Sequence, residues 1–346
     1  DSTMVLVEEP TAALTEAEVE RFLGIVARLR ERGITCVYIS HKLDEVYAIA
    51  DRITVRRDGE GVCTLAIATT GKDEVIRHMV GREIVDFYPR RAGATGAALW
   101  EVEELFVAAE GVEVLQDISL EVRAGEVLGL GGLMGAGRSE LLMHILGAYG
   151  TRTAGQVWIG SRALKGHSPA DAIAEGLVLV SEDRKRYGLI LDKSIGFNLS
   201  LASLGQFSGR MLIDAHREID RNQLFFDSLG IRANGQETVV GSLSGGNQQK
   251  VVLGKWLAMK PKLLLLDEPT RGIDVGTKAE VYRLVGEQAA AGKAVLFVSS
   301  YTPELLAVCD RVAVLARGQL PEIREASEWT EETLINCAIG SDGAAA

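Results

Sequence analysis

The chain has 346 residues, 47% of them apolar, enough to bury more than one core when domains average roughly 150 residues. Its net charge of −11, from 37 basic and 48 acidic side chains, argues against a nucleic-acid partner, because phosphate-backbone binding rests on clustered Lys and Arg. No apolar run approaches the roughly 20 residues that span a bilayer, and the N-terminus shows no basic segment followed by an apolar stretch, so a soluble, cytosolic chain is expected. The four cysteines, Cys36, Cys63, Cys309 and Cys337, have neither metal-ligand nor disulfide spacing and read as buried reduced thiols.

The first predicted strand, Met4 to Val7, ends in the adjacent carboxylates Glu8 and Glu9, followed by Pro10-Thr11. Thr15 to Glu18 resembles a capping box, and Val19 to Arg32 has helical spacing that closes at Gly33. A buried strand, Cys36 to Ser40, then leads to His41. Val85 to Ala98, with Pro89 and a Gly/Ala run, reads as a linker. Beyond it, Leu99 to Val107 and Val114 to Val122 alternate apolar and polar residues and predict an antiparallel layer. Glu126 to Leu130 and Leu177 to Val180 read as buried strands, and helical patterning dominates from about 190 to 258.

The strand Leu263 to Leu266 ends in Asp267-Glu268-Pro269-Thr270 and repeats the opening segment at an offset of 259 residues. The same offset carries Gly33 onto Gly292, Ser40 onto Ser299, Asp51-Arg52 onto Asp310-Arg311 and Gly59 onto Gly318, without insertion. It also carries His41 onto Ser300, so one copy has a titratable residue where the other has a hydroxyl.

Between these copies, the strand ending at Leu130 enters Gly131-Gly132-Leu133-Met134-Gly135-Ala136-Gly137-Arg138-Ser139-Glu140, then a helical run. Gly132, Gly135, Ala136 and Gly137 would let backbone N–H groups converge on phosphate oxygens, with Ser139 on Mg²⁺. The lysine expected of such a loop is Arg138, whose planar fork cannot simply replace a point charge. At an acidic strand end, the first carboxylate orients the Mg²⁺ shell and the second polarises the attacking water, which gives Asp267 and Glu268 in the second copy, Glu8 and Glu9 in the first. Glu8 carries one methylene more than Asp267, and Mg²⁺ tolerates little departure from octahedral geometry.

Leu243-Ser244-Gly245-Gly246-Asn247-Gln248-Gln249-Lys250 stands between the phosphate loop and the acidic strand, and it resembles the signature sequence of ATP-binding cassette (ABC) proteins. Asp267 to Gly276, Ser181 to Lys185 and the Arg138 loop are similar to the fused double-cassette ATPase subunits of bacterial monosaccharide importers, over most of the chain from Met4 to about Gly340. The resemblance implies an α/β P-loop fold of ABC type, a mixed sheet core with an antiparallel β layer and a helical subdomain. It implies one complete cassette, 99–346, preceded by the C-terminal part of another, 1–84, and a linker over 85–98. It further implies that Glu9 and His41 serve a competent site facing Ser244, Gly245, Gly246 and Gln248 of the signature, while Arg138 and Ser300 mark a degenerate one. Glu182 stands where many cassettes carry a glutamine that senses Mg²⁺ and the permease. Asp274 stands where the family couples its two sites, and an N-cap role for it is equally open.

The expected function is thus an ATPase using ATP and Mg²⁺, peripheral on the cytoplasmic face of the membrane. Its implied partners are membrane permease subunits and an extracytoplasmic sugar-binding protein, with no nucleic acid, and the cassettes pair within the full-length chain. The 182–198 segment, with Tyr187, Leu189, Ile190 and Phe197 among charges of both signs, is the expected permease contact. A non-hydrolytic nucleotide-binding scaffold and a nucleoside importer stay open as alternatives. The first copy is expected to be a piece of a longer protein rather than a decayed remnant.

Overall fold

The computed structural model describes residues 3–11, 16–40, 42–57, 59–80, 95–160, 162–164, 168–207 and 213–340. His41, Thr15 and residues 85–94 of the predicted linker lie outside them. The chain divides into two compact units, 1–87 with 272–279, and 88–271 with 280–346. No helix among the described residues is long and apolar enough to cross a membrane.

In the first unit, strand β1 (Met4–Glu8) pairs in parallel with β2 (Thr35–Ile39) across helix α1 (Glu16–Glu31). Helix α2 (Leu43–Ile49) leads to the antiparallel hairpin β3 (Arg52–Arg57) and β4 (Glu60–Ala66), and α3 (Lys72–Val80) follows. Helix α1 begins three residues earlier than its apolar spacing suggests and ends, as expected, before left-handed Gly33.

The second unit opens with β5 (Ala98–Ala109), β6 (Val112–Arg123) and β7 (Val127–Gly131), then α4 (Arg138–Leu146). Next come β8 (Thr151–Ile159), β9 (Arg162–Ala163), α5 (Pro169–Ala174) and β10 (Leu177–Val180). A helical stretch holds α6 (Ile195–Ser200), α7 (Ala215–Ser228) and α8 (Gly245–Leu257). Then follow β11 (Leu263–Asp267), α9 (Val275–Ala290), β12 (Ala294–Val298), α10 (Thr302–Val308), β13 (Arg311–Ala316), β14 (Gln319–Glu325) and α11 (Glu331–Ile339).

Among the described residues, a six-stranded sheet runs β10-β11-β12-β7-β13-β14, parallel except at β14. Its inner strands are buried on both faces, which is why β11 reads as four consecutive leucines. A second, antiparallel sheet runs β6-β5-β8-β9. The sequence disclosed only its first two strands, because Gly155 interrupts the alternation of β8 where its backbone approaches the Glu104 carbonyl, leaving no room for a Cβ. Trp100, Leu105, Leu115, Ile118, Leu141, Ile145, Leu296 and Leu315 fill the core between the sheets and α4. Phe106 is only half-buried.

The internal repeat extends to strand register. Glu8 pairs with Ile39 and Asp267 with Val298, while Arg52 pairs with Ala66 and Arg311 with Glu325. Each partner of the first copy maps onto its counterpart in the second at the offset of 259.

Candidate functional site

Strand β7 delivers the chain into the glycine turn at the C-terminal edge of the sheet, the edge at which parallel α/β sheets present ligand sites. Gly132 adopts φ 143°, and a Cβ there would lie 2.3 Å from the Leu315 carbonyl oxygen of β13, so no side chain fits. Gly135 and Gly137 are also left-handed, at φ 77° and 104°. Gly137 caps α4, while the Ala136 carbonyl accepts from Gly318 N at 2.9 Å and ties the turn to the sheet. The first N–H groups of α4 lack intrahelical acceptors, and Glu140 stands in its first turn.

Arg138 and Ser139 then meet the end of β11. Ser139 Oγ donates to Asp267 Oδ2 at 2.9 Å, and Arg138 Nη1 lies 3.4 Å from Glu268 Oε1. That nitrogen is buried and makes no hydrogen bond, so the guanidinium is charge-paired but geometrically unsatisfied. Burial raises the Asp267 carboxyl above its ordinary value against the Ser139 bond and the Arg138 charge. Burial likewise pushes Glu268 up to about 7, opposed by Arg138 and by a hydrogen bond with Ser300, and helped by the charges of Glu304 and Asp267. A glycine cradle, an unsatisfied buried cation donor and a Ser/Asp oxygen pair are the groups that a Mg²⁺-bound polyphosphate requires.

The acidic ends of both copies share an unusual backbone. Glu9 and Glu268 are left-handed at φ 42° and 47°, and each donates its N–H to the neighbouring strand, Glu9 to Ile39 O at 2.8 Å and Glu268 to Val298 O at 3.0 Å. Glu8 is exposed and Glu9 half-buried, whereas Asp267 and Glu268 are buried.

Ser244 stands exposed at the head of α8, where its Oγ accepts from Asn247 Nδ2 at 3.0 Å, with Gly245 and Gly246 in the first turn. Gln248, expected to contact nucleotide, is buried. Its Nε2 donates to the Val240 and Leu243 carbonyls at 3.3 Å each, because the preceding loop needs a donor beneath it. Its side chain holds the signature loop rather than facing outward.

Glu182 is ion-paired with Arg271, and Arg184 Nη1 donates to the Arg271 carbonyl at 3.0 Å, so the segment after β10 is bound to the turn beyond the acidic strand. Leu189 is buried, while Tyr187, Ile190 and Phe197 are exposed at 60%, 38% and 40%. Asp274 does cap, accepting from Thr277 N at 3.0 Å.

Sequence reasoning missed the Arg138–Glu268 pair, which no local pattern encodes. It also missed a buried cluster in which Thr270 and Tyr282 donate to Glu304 and its counterpart in which Thr11 and Tyr38 donate to Glu45. The signal was present, since Thr11 and Glu45 map onto Thr270 and Glu304 at the repeat offset.

The ABC transporter family model matches residues 115–271. A ribose import ATP-binding protein of Chromobacterium violaceum is 48% identical over 340 residues, covering 98% of this chain and 67% of that protein. A xylose import ATP-binding protein of Moorella thermoacetica is 44% identical over 343 residues, covering 98% and 68%. The fold is also that of a nucleotide-free ATP-binding cassette from an ABC transporter, at TM-score 0.60, 21% identity and coverage of 71% of this chain and 96% of that one. With a phosphate cradle beside a buried acidic strand end, and with kinship over nearly its whole length, the chain belongs to the ATP-hydrolysing subunits of ABC sugar importers.

Proposed function

We propose that this chain energises monosaccharide import through two unequal nucleotide sites, on the cytoplasmic face of the membrane, against separate permease subunits supplied by an extracytoplasmic sugar-binding protein. Residues 1–84 contribute the acidic end of one cassette and 99–346 form the other, in a double-cassette subunit whose halves pair. The relatives' names support a pentose as cargo. The observation that carries the site reading is the pair of contacts Ser139–Asp267 and Arg138–Glu268 at the mouth of the glycine turn.

In the second cassette, Gly132 to Ser139 would bind the phosphates through backbone N–H groups and Arg138, and Ser139 and Asp267 would hold Mg²⁺. When bound, the ion neutralises phosphate charge and fixes phosphate geometry. Two protein oxygens are a reasonable set for it, since Mg²⁺ usually keeps several waters. Glu268 is the base position, but it is paired with Arg138 and bonded to Ser300, so its carboxyl is already engaged inside the protein. That pairing favours a holding role for this site over rapid turnover. In the first cassette, Glu9 is the water-orienting position and His41 the position for the terminal phosphate, and Ser244, Gly245 and Gly246 form the signature of the second. Glu8 takes the metal position there, through a longer side chain.

The test is nucleotide binding by the purified chain. MgATP binds, Asp267→Asn weakens binding at least about tenfold in Mg²⁺ and little in EDTA, and turnover is negligible. Brisk, Glu268-dependent hydrolysis by this chain would overturn the division of labour.

A further inference from the structure

Three residues outside the phosphate site form one buried cluster twice. In the second unit, the Glu304 carboxylate is buried at 1% exposure and accepts from Thr270 Oγ1 at 2.6 Å, from Tyr282 Oη at 2.6 Å and from Ser299 Oγ. In the first, Glu45 is buried at 5% and accepts from Thr11 Oγ1 at 2.7 and 2.8 Å and from Tyr38 Oη at 2.6 Å, with Lys42 Nζ at 3.2 Å. Burial alone would raise the Glu45 carboxyl, but the Tyr38, Thr11 and Lys42 bonds outweigh it and leave it below its ordinary value.

The phenol reaches the carboxylate by different routes. Tyr38 stands on β2, and its counterpart at the repeat offset is Phe297; Tyr282 stands on α9, and its counterpart is Leu23. The two copies therefore supply the same donor from a strand in one case and a helix in the other. They keep the cluster although Glu8 differs from Asp267 and His41 from Ser300.

We infer that Glu45 and Glu304 are positioning residues that fasten the turn after each acidic strand and so hold in place Glu9 and Glu268, whose N–H groups bond the neighbouring strands. Thr11 and Thr270 lie two residues beyond those carboxylates, whose left-handed backbone persists only where the surroundings over-determine it. The second anchor lies on the neighbouring strand, Tyr38 on β2 and Ser299 at the end of β12, next to the Ser300 that bonds Glu268. Charge-assisted bonds from both sides make one carboxylate a rivet between the turn after the acidic strand and the neighbouring chain.

This rests on the two-site reading, so Glu9→Gln is measured alongside, in the subunit assembled with its permease. Glu45→Ala lowers kcat for ATP about 10- to 100-fold while KM stays within about twofold, the signature of a misplaced reacting group. Glu45→Gln, which keeps an acceptor, recovers part of that loss. Tyr38→Phe installs the ring already found at Phe297 and removes one donor, so it keeps the fold and lowers kcat about threefold or more. Unchanged kcat in Glu45→Ala and Tyr38→Phe, with Glu9→Gln inactive, overturns the inference. So does a kcat loss matched by a rise in KM. An active Glu9→Gln overturns the two-site reading instead, and Glu304→Ala compared with Glu268→Gln then decides the inference on the second copy by the same split.

Discussion

At Gly132 two constraints coincide, a left-handed φ and a carbonyl oxygen 2.3 Å from where a Cβ would sit, whereas Gly135 is left-handed in open space. Gly135→Ala is therefore expected to cost about 1–2 kcal/mol from backbone strain alone. Gly132→Ala adds a clash with β13 and is expected to exceed about 3 kcal/mol, with loss of MgATP binding. Urea unfolding of both variants checks the order. Arg138 shows how side-chain identity and position separate: the sequence flagged it as a poor substitute for lysine, but only the folded chain turns it onto Glu268.

Helix α8 carries the signature at its exposed head and is buried along most of its remaining length. Polar residues on such a helix need internal partners, and they have them: Lys250 reaches Gly230 O at 2.9 Å and Glu280, and Lys255 reaches Gly188 O at 2.6 Å. Burial pushes the Lys255 ammonium down to about 8 from 10.5. Below about pH 8 both folded and unfolded chains hold this proton, and above 10.5 neither does; between them only the unfolded chain is protonated. Stability therefore gains a rising contribution across that window, and Lys255→Met is expected to remove it. Urea midpoints of wild type and variant at pH 8 and 10 measure the difference in slope.

For the whole molecule, the exposed Tyr187, Ile190 and Phe197 mark the proposed permease contact, since apolar anchors carry more binding energy than rim charges. Replacing the three with serine is expected to reduce co-purification with the permease at least about tenfold and to leave MgATP affinity unchanged. Equal loss of both would refute the placement. Arg184 is unsuited to such a test, because it is half-buried and bonded to Arg271.

By itself the sequence determined the repeat, the order of phosphate loop, signature and acidic strand, and the main elements, because turn chemistry and apolar period are written in neighbouring residues. The offset that aligned Glu9 with Glu268 recurs in the strand registers of the fold. Only the tertiary structure decided that Gln248 points inward, that Glu182 pairs with Arg271, and that a phenol reaches Glu45 from a strand but Glu304 from a helix. Each of these depends on which elements the sheet order brings together. Ser139 meets Asp267 across 128 residues of chain, a meeting implied by the two motifs and encoded by no local period.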